Sequence, residues 1–187
     1  MNAFAAAFGA VLLGWLIADV LGGFVHWVED RLLSERVPLI GAYIVTPNRL
    51  HHRDPLAFTR SDFLDRNLAT FVVAGTLSAL WAWALGLSLI WASATLGGMV
   101  SSQVHYLTHR PRPKHAWLRV LQDVGLIQSA GHHAGHHRAP SDRRYCVLTD
   151  WLNPVLDTLR VWHRLEALLA RTGAPLDCRA PGAPSDG

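Results

Sequence analysis

Charged side chains are scarce in this sequence, and two long stretches contain none. Asp, Glu, Lys and Arg together make up 17% of the 187 residues. None occurs from Met1 to Ala18, and none lies between Arg66 and Arg110. Uncharged apolar stretches of about 18 residues or more are typical of membrane-spanning helices. We therefore predict an integral membrane protein of the all-α class.

Other absences exclude several kinds of protein. With only Cys146 and Cys178, the chain has no disulfide framework. Its net charge of +3 is modest and no basic block alternates with aromatic residues, which excludes nucleic-acid binding. No Lys or Arg precedes the N-terminal apolar run, which therefore indicates a membrane span rather than a removable signal peptide. The sequence also lacks His-Glu-x-x-His, Gly-x-Ser-x-Gly and glycine-rich phosphate loops.

The apolar stretches predict about three transmembrane helices. The first span covers about Ala3–Val25. The second apolar region is too long for one crossing, since a helix needs only about 20 residues to cross the hydrocarbon core. A break at Gly86 divides it into a tight hairpin, Leu68–Leu85 and Leu87–Leu107.

Two further segments complete the predicted architecture. Leu118–Ala130 is apolar but short and contains Gln122 and Asp123, which favours an interfacial or re-entrant helix. The residues after 171 are rich in Pro, Gly, Ala and Asp, as in disordered tails. We expect one membrane domain over residues 1–171 and a disordered tail over residues 172–187.

The hairpin brings the histidine-rich segments to one side of the membrane. With two crossings, the segments at His51 and His105 leave the membrane on the same face. All 17 Lys and Arg residues also lie on that face in the three-span arrangement. Cytoplasmic loops carry an excess of Lys and Arg, so this face is predicted to be cytoplasmic.

Histidine is abundant, and most of its occurrences fall into a pattern. Eleven histidines occur in the chain. Neutral imidazole is the commonest metal-binding side chain, and one metal needs three to six ligands. The candidate ligands indicate two metal ions held in a histidine-rich cap, and they are His26, His51, His52, His105, His109, His133, His136 and His137.

The spacing supports each cluster to a different degree. His105 and His109 are four residues apart and share a helix face, although such pairs also occur at interfaces without a metal. Four histidines lie within residues 132–137, a density that packing seldom explains, because each imidazole has two polar nitrogens to satisfy. A solvated metal-binding tract is the alternative. On a helix His133 and His137 share a face, whereas His132 points elsewhere and is predicted to lie outside the ligand set.

Several polar residues are candidates to orient the ligands. Ligating imidazoles usually donate their second N–H to a carboxylate or a carbonyl. Asp54 follows the first histidine pair, and Asp30 lies one turn after His26. Asp19 lies inside an apolar span, so it either pairs with a structural group or supports the site. Gln103 is predicted to hold a water molecule or an imidazole.

The ligand type leaves the metal open, because imidazole suits iron, zinc and copper. A membrane location favours a lipid substrate. Breaking an unactivated C–H bond requires activated oxygen, for which iron is the usual carrier. A zinc hydrolase is disfavoured because no Glu adjoins the histidine pairs as a general base. A metal transporter or sensor is disfavoured because the polar clusters lie at the ends of the spans rather than at mid-membrane.

The combined motifs resemble a known family. They are Ala18-Asp19, His26-Trp27-x2-Asp30, His51-His52-x-Asp54-Pro55, Thr59-Arg60, Gln103-x-His105-x3-His109, Leu121-Gln122-Asp123, His133-x2-His136-His137 with Pro140, Tyr145-Cys146, Trp151-Leu152-Asn153 and Leu165-Glu166. They resemble the histidine boxes of membrane desaturases. More specifically, the chain is similar to the small lipid-desaturase family that contains plasmanylethanolamine desaturase, bacterial CarF and a plant plastid desaturase of phosphatidylglycerol palmitate.

The resemblance implies oxygen-dependent introduction of a double bond into a lipid chain. It implies two iron ions on the eight histidines, oxygen as co-substrate and a separate electron donor of the ferredoxin or cytochrome b5 type. A lipid hydroxylase is the near alternative. Ser61 and Ser141 stand where the plasmanyl-type pattern has histidines, which weakens an ether-lipid assignment. The segment His136-His137-Arg138-Ala139-Pro140 is closer to the plant type.

Overall fold

Helices make up most of the described chain, and the three longest form its apolar part. The computed structural model describes residues 2–173. The elements are α1 (Ala3–Arg31), a π-helical turn (Gly41–Val45), α2 (Thr46–Arg53), α3 (Ala57–Arg60), α4 (Phe63–Leu85), α5 (Leu89–Thr108), α6 (Ala116–Asp123), α7 (Ala130–His133), α8 (Leu152–Thr158) and α9 (Val161–Arg171). No strand occurs in this part of the chain, which confirms the predicted all-α class.

Two helices of the described chain are long and apolar enough to cross a membrane, α1 and α4. Only 17% of the most apolar window of α1 is buried, and none of that of α4. A core helix of a soluble protein would bury most of these side chains, so their exposure is that of lipid-facing helices. The third predicted span, α5, has 20 residues without a formal charge, but its serines and glycines make it less apolar.

Small residues allow α1 and α5 to pack closely. A Cβ atom at Gly14 would collide with the carbonyl oxygen of Ile90. One turn along, a Cβ at Gly97 would lie 2.7 Å from the Cβ of Ala18. Small residues at such positions let the backbones of membrane helices approach and gain van der Waals contact.

The hairpin between α4 and α5 has the predicted break. Gly86 ends α4 with φ of 77°, a backbone conformation that favours glycine. The side chain of Ser88 then caps α5 by accepting from the amide of Trp91 at 3.1 Å. Because the two helices run in opposite directions, the start of α4 and the end of α5 lie at the same level.

The cap below the helices differs from its predicted form. The single helix expected over residues 118–130 is wrong: α6 ends at Asp123, because Gly125 turns the chain with φ of 73°. Ser129 then begins the short helix α7. Nearly the whole predicted tail, residues 174–187, lies outside the described residues.

Candidate metal centre

Five imidazoles meet at the C-terminal end of α5. Nε2 of His105 lies 3.0 Å from Nε2 of His51, 3.0 Å from that of His133 and 3.2 Å from that of His109. Nε2 of His137 lies 3.0 Å from that of His133. All five ligand nitrogens lie within 4.8 Å of one another. We call this set, His51, His105, His109, His133 and His137, the five-histidine group.

A second group of donors combines three imidazoles with one carboxylate. Asp30 Oδ1 lies 3.1 Å from Nε2 of His52, and Asp30 Oδ2 lies 3.4 Å from Nε2 of His136 and 3.9 Å from that of His26. Their ligand atoms also lie within 4.8 Å of one another. We call His26, Asp30, His52 and His136 the mixed group. Sequence reasoning gave Asp30 only an orienting role, whereas its carboxylate lies among the donor atoms.

The donor set fits a metal better than it fits hydrogen bonding within the protein. Nε2 of His26, Nε2 of His136 and Oδ2 of Asp30 are buried without a hydrogen-bond partner. In the five-histidine group, Nε2 of His105 lies within 3.2 Å of the Nε2 atoms of three other histidines. One Nε2 is either a single donor or a single acceptor, so it cannot form hydrogen bonds with three imidazoles at once. Lone pairs that converge in this way suit a cation, which would satisfy them together.

The two groups adjoin one another. The ring centroids of His52 and His137, one from each group, are 5.0 Å apart. Those of His136 and His137, adjacent in sequence, are 5.7 Å apart. The arrangement therefore offers two neighbouring cation sites rather than one large site.

Helix geometry explains how adjacent histidines reach different groups. His51 and His52 both lie on α2. Successive side chains on a helix diverge by about 100°, so His51 points to the five-histidine group and His52 to the mixed group. His133 ends α7, and the chain turns rather than continuing the helix predicted through His137.

Backbone carbonyls orient two imidazoles of the mixed group. Nδ1 of His26 donates to the carbonyl of Tyr145 at 3.0 Å, and Nδ1 of His136 donates to that of Arg143 at 2.7 Å. Each bond places the remaining lone pair on Nε2, the atom that faces Asp30. Sequence reasoning missed these acceptors, because any residue can supply a carbonyl. The only signal was that Tyr145-Cys146 formed part of the family pattern.

Asp19 supports this carbonyl segment rather than an imidazole. It accepts hydrogen bonds from the amide of Leu148 at 2.8 Å, the amide of Thr149 at 3.1 Å and the hydroxyl of Thr149 at 2.6 Å. Asn153 holds the same segment by bonding both the amide and the carbonyl of Cys146. Asp19 therefore contacts no imidazole directly. It holds the backbone segment whose Tyr145 carbonyl accepts the hydrogen bond from His26.

The other predicted orienting residues lie elsewhere. Asp54 is exposed and accepts hydrogen bonds from Arg60 and from the amide of Leu56. The prediction that Asp54 orients an imidazole is therefore wrong. Nε2 of Gln103 is buried without a hydrogen-bond partner. His132 lies outside both groups and contacts Asn153 Nδ2 at 3.2 Å.

Two other histidines also lie apart from the donors. His163 pairs with Asp142 at 3.2 Å, and His115 precedes α6 at the surface.

The environment keeps four imidazoles of the five-histidine group neutral and ready to bind a cation. Burial, and then the neighbouring histidines, lower the pKa of His109 to about 4 and that of His137 to about 2. The same causes hold the pKa of His51 and of His133 well below the usual value. A deprotonated imidazole is the form that binds a metal.

A cavity of about 400 Å³ opens from the donor groups into the apolar helices. It runs between α1, α4 and α5. His26, His51 and His105 line its polar end, together with the ionisable residues Glu29, Asp65 and Arg66. Farther along, its walls come from residues such as Leu21, Ala69, Val73, Ala74, Leu77, Trp81, Ala94 and Gly98. The distance along α4 from Arg66 to Trp81 is about 22 Å, at about 1.5 Å per helical residue.

Comparison with known proteins gives consistent results. The sequence model of a family described as lipid desaturase domain matches residues 15–175. Plasmanylethanolamine desaturase 1 of Mus musculus is 34% identical over 85% of this chain and 63% of its own length. Plasmanylethanolamine desaturase of Myxococcus xanthus is 35% identical, over 86% and 59%. The chloroplastic fatty acid desaturase 4 of Arabidopsis thaliana is 33% identical, over 82% and 48%.

Two further facts bound this comparison. The chain spans about 60% of the length of the mouse and bacterial relatives. No solved structure matches it.

Proposed function

Because the chain belongs to the lipid desaturase domain family, we propose that it is a multi-pass membrane enzyme that introduces a double bond into a lipid chain. The observation that carries this proposal is the junction of two donor groups with an apolar cavity. His26, His51 and His105 line the cavity and also belong to the donor groups. A chain bound in the cavity would therefore present its C–H bonds directly to the metal site.

Two iron ions, one on the five-histidine group and one on the mixed group, fit these donors. Bound there, they would supply the oxygen activation that cleavage of an unactivated C–H bond requires. Overall, one lipid chain and one O₂ take up two electrons and two protons, giving one double bond and two molecules of water. The electrons come from a separate carrier of the ferredoxin or cytochrome b5 type.

The chain itself provides position, orientation and exclusion of water. The carbonyls of Arg143 and Tyr145 fix two imidazoles. Asn48 donates to Asp30 Oδ1 at 2.5 Å and fixes the carboxylate in the same way. The apolar cavity walls hold a straight hydrocarbon chain and exclude water from the reacting carbons.

The position of the donors along the cavity predicts which bond reacts. They lie at its polar end, level with the start of α4 and the end of α5. A lipid whose tail fills the apolar part of the cavity would place carbons near its polar headgroup at the metals. We infer that the new double bond lies toward the headgroup end of the chain.

We place the donor groups on the cytoplasmic face. Every Lys and Arg of residues 2–173 lies on the side of the donor groups when α1, α4 and α5 each cross the membrane, and the positive-inside rule assigns that side to the cytoplasm. The substrate would be an acyl or alkyl chain of a membrane lipid, as the names of the relatives suggest.

Lipid analysis in a host that lacks such an enzyme tests the function. We expect membranes containing the protein to gain lipids that lack two hydrogens, and His133→Ala to abolish this product. His163→Ala is the matched control, because His163 contacts Asp142 outside both donor groups. Products that gain an oxygen would instead indicate a hydroxylase. An unchanged lipid profile, with the protein inserted and loaded with iron, would contradict the proposal.

A further inference from the structure

Arg66 is a cation in the wall of the cavity without an anionic partner. Its side chain lines the cavity beside the donor groups. No carboxylate of the described chain forms an ion pair with it, including the neighbouring Asp65, which lines the same cavity. A guanidinium has five N–H donors and stays charged at any physiological pH, so it strongly favours an anion.

The guanidinium is held in place rather than free to move into solvent. One of its nitrogens, Nη1, donates to the carbonyl of Ser61 at 2.8 Å. Its carbon lies 4.0 Å from the centre of the Tyr106 ring, within the range of a cation–π contact. Its Nε is buried and has no hydrogen-bond partner. The protein thus fixes the plane of the group but leaves donors unsatisfied.

Arg66 lies at the level of the donor groups along the helices. Its carbonyl accepts from the hydroxyl of Ser102 at 3.0 Å, and Ser102 lies one turn before His105 on α5. The ring that stacks on the guanidinium belongs to Tyr106, next to His105. An anion held by Arg66 would therefore lie beside the metal site, at the polar end of the cavity.

We propose that Arg66 holds the phosphate of the lipid substrate and thereby sets how far its chain enters the cavity. Arg is suited to phosphate because its planar N–H groups make paired, charge-assisted hydrogen bonds. This assignment rests on the proposed function, since it requires a lipid chain in the cavity. The phosphate fixes the depth of the chain, so the carbons nearest the headgroup lie at the donors.

A general contact between Arg and the surrounding lipid would look different. Arg60 provides the comparison within this chain: it is exposed, it pairs with Asp54, and it does not line the cavity. Arg66 instead lies against Tyr106 and Ser61 with a buried Nε. Arg66 is thus a cavity residue with a fixed guanidinium, whereas Arg60 is an exposed residue with a carboxylate partner.

Binding of two matched lipids to the purified, iron-loaded protein tests the assignment. The probes are a phosphatidylethanolamine and a diacylglycerol with the same fluorescent chains. We expect the wild type to bind the phospholipid about 10- to 100-fold more tightly, as charged hydrogen bonds imply. Arg66→Gln should remove this preference, Arg66→Lys should keep part of it, and Arg60→Gln should leave it unchanged. Inorganic phosphate at millimolar concentration should not displace the phospholipid.

Several results would overturn the assignment. They are an undiminished phosphate preference in Arg66→Gln, an equal loss in Arg60→Gln, or displacement by inorganic phosphate, which would indicate a site for the free anion. These outcomes leave binding of the diacylglycerol and desaturation intact, so they count against Arg66 alone. If the wild type bound neither lipid, the cavity would not hold a lipid chain and the proposed function would fail too.

Discussion

Replacement of Asp19 by Ala should destabilise the protein more than any surface change. The carboxylate is buried and accepts hydrogen bonds from two amides and one hydroxyl of Leu148 and Thr149. The hydroxyl can turn to another acceptor, but the two amides are fixed by the backbone. Each buried donor left without a partner costs about 1–3 kcal/mol. The two amides alone therefore imply a loss of about 2–6 kcal/mol.

The thermal midpoint of the detergent-purified protein measures this loss. For a chain of this size about 1 kcal/mol corresponds to about 2–4 °C, so Asp19→Ala should lower the midpoint by roughly 4–24 °C. Asp19→Asn should lower it less, because the amide keeps one acceptor oxygen. Asp62→Ala is the control: it removes a single helix cap, from the amide of Asp65, worth about 1 kcal/mol.

The same variant should also weaken the mixed group. The segment that Asp19 holds carries the carbonyl of Tyr145, which fixes His26. We expect Asp19→Ala to lose part of its bound metal during dialysis, whereas Asp62→Ala keeps it. A midpoint shift for Asp19→Ala no larger than that of Asp62→Ala, with metal retained, would refute this account of the support.

Three further predictions follow from the cavity, the helix packing and the donors. Val73 lies in the cavity wall, about 10 Å along α4 from Arg66. Val73→Phe should therefore reduce desaturation of long chains roughly tenfold and leave desaturation of shorter chains unchanged. An equal effect of Val72→Phe, whose side chain is exposed, would contradict this. Gly14→Ala should cost about 1–3 kcal/mol by overpacking against α5, whereas Gly9→Ala, which meets nothing within 4 Å, should not lower the thermal midpoint. The metal-free protein should lose stability as the pH falls from about 7 toward 4, because the unfolded histidines take up protons near pH 6.5 while burial keeps the pKa of the folded His109 at about 4; an unchanged midpoint between pH 7.5 and 5 would contradict it.

Much of the fold could be predicted from the sequence, because the helices and the hairpin break depend mainly on residues that are close together in the chain. A stretch of residues without charge predicts a helix in a membrane whatever surrounds it, and Gly86 marked the hairpin. The helix over residues 118–130 was wrong because apolar residues on both sides of Gly125 look continuous in sequence. A backbone with positive φ at one glycine is enough to separate them.

The eight histidines could be singled out, but their grouping could not. Which imidazole faces which neighbour depends on α1, α2 and α5 meeting in space, and no spacing rule relates residues so far apart. The role of Asp30 changed for the same reason, since only the folded chain brings its carboxylate between His52 and His136. The predicted orienting role of Asp54 rested only on its closeness in sequence to His51 and His52. In the folded chain Asp54 pairs with Arg60 instead.

Apart from its three histidines, the residues that line the cavity were not singled out in the sequence. Arg66 precedes the long uncharged stretch and was used only to mark its first boundary. Its stacking on Tyr106 and its place beside the donors depend on the antiparallel pairing of α4 with α5.

The metal content of the detergent-purified protein tests the central claim most directly. Elemental analysis, normalised to the concentration of the chain, should find two iron ions per chain, one for each donor group. His133→Ala and His26→Ala should each lower this value, because they remove donors from different groups. One zinc ion per chain, or no tightly held metal, would contradict the di-iron desaturase.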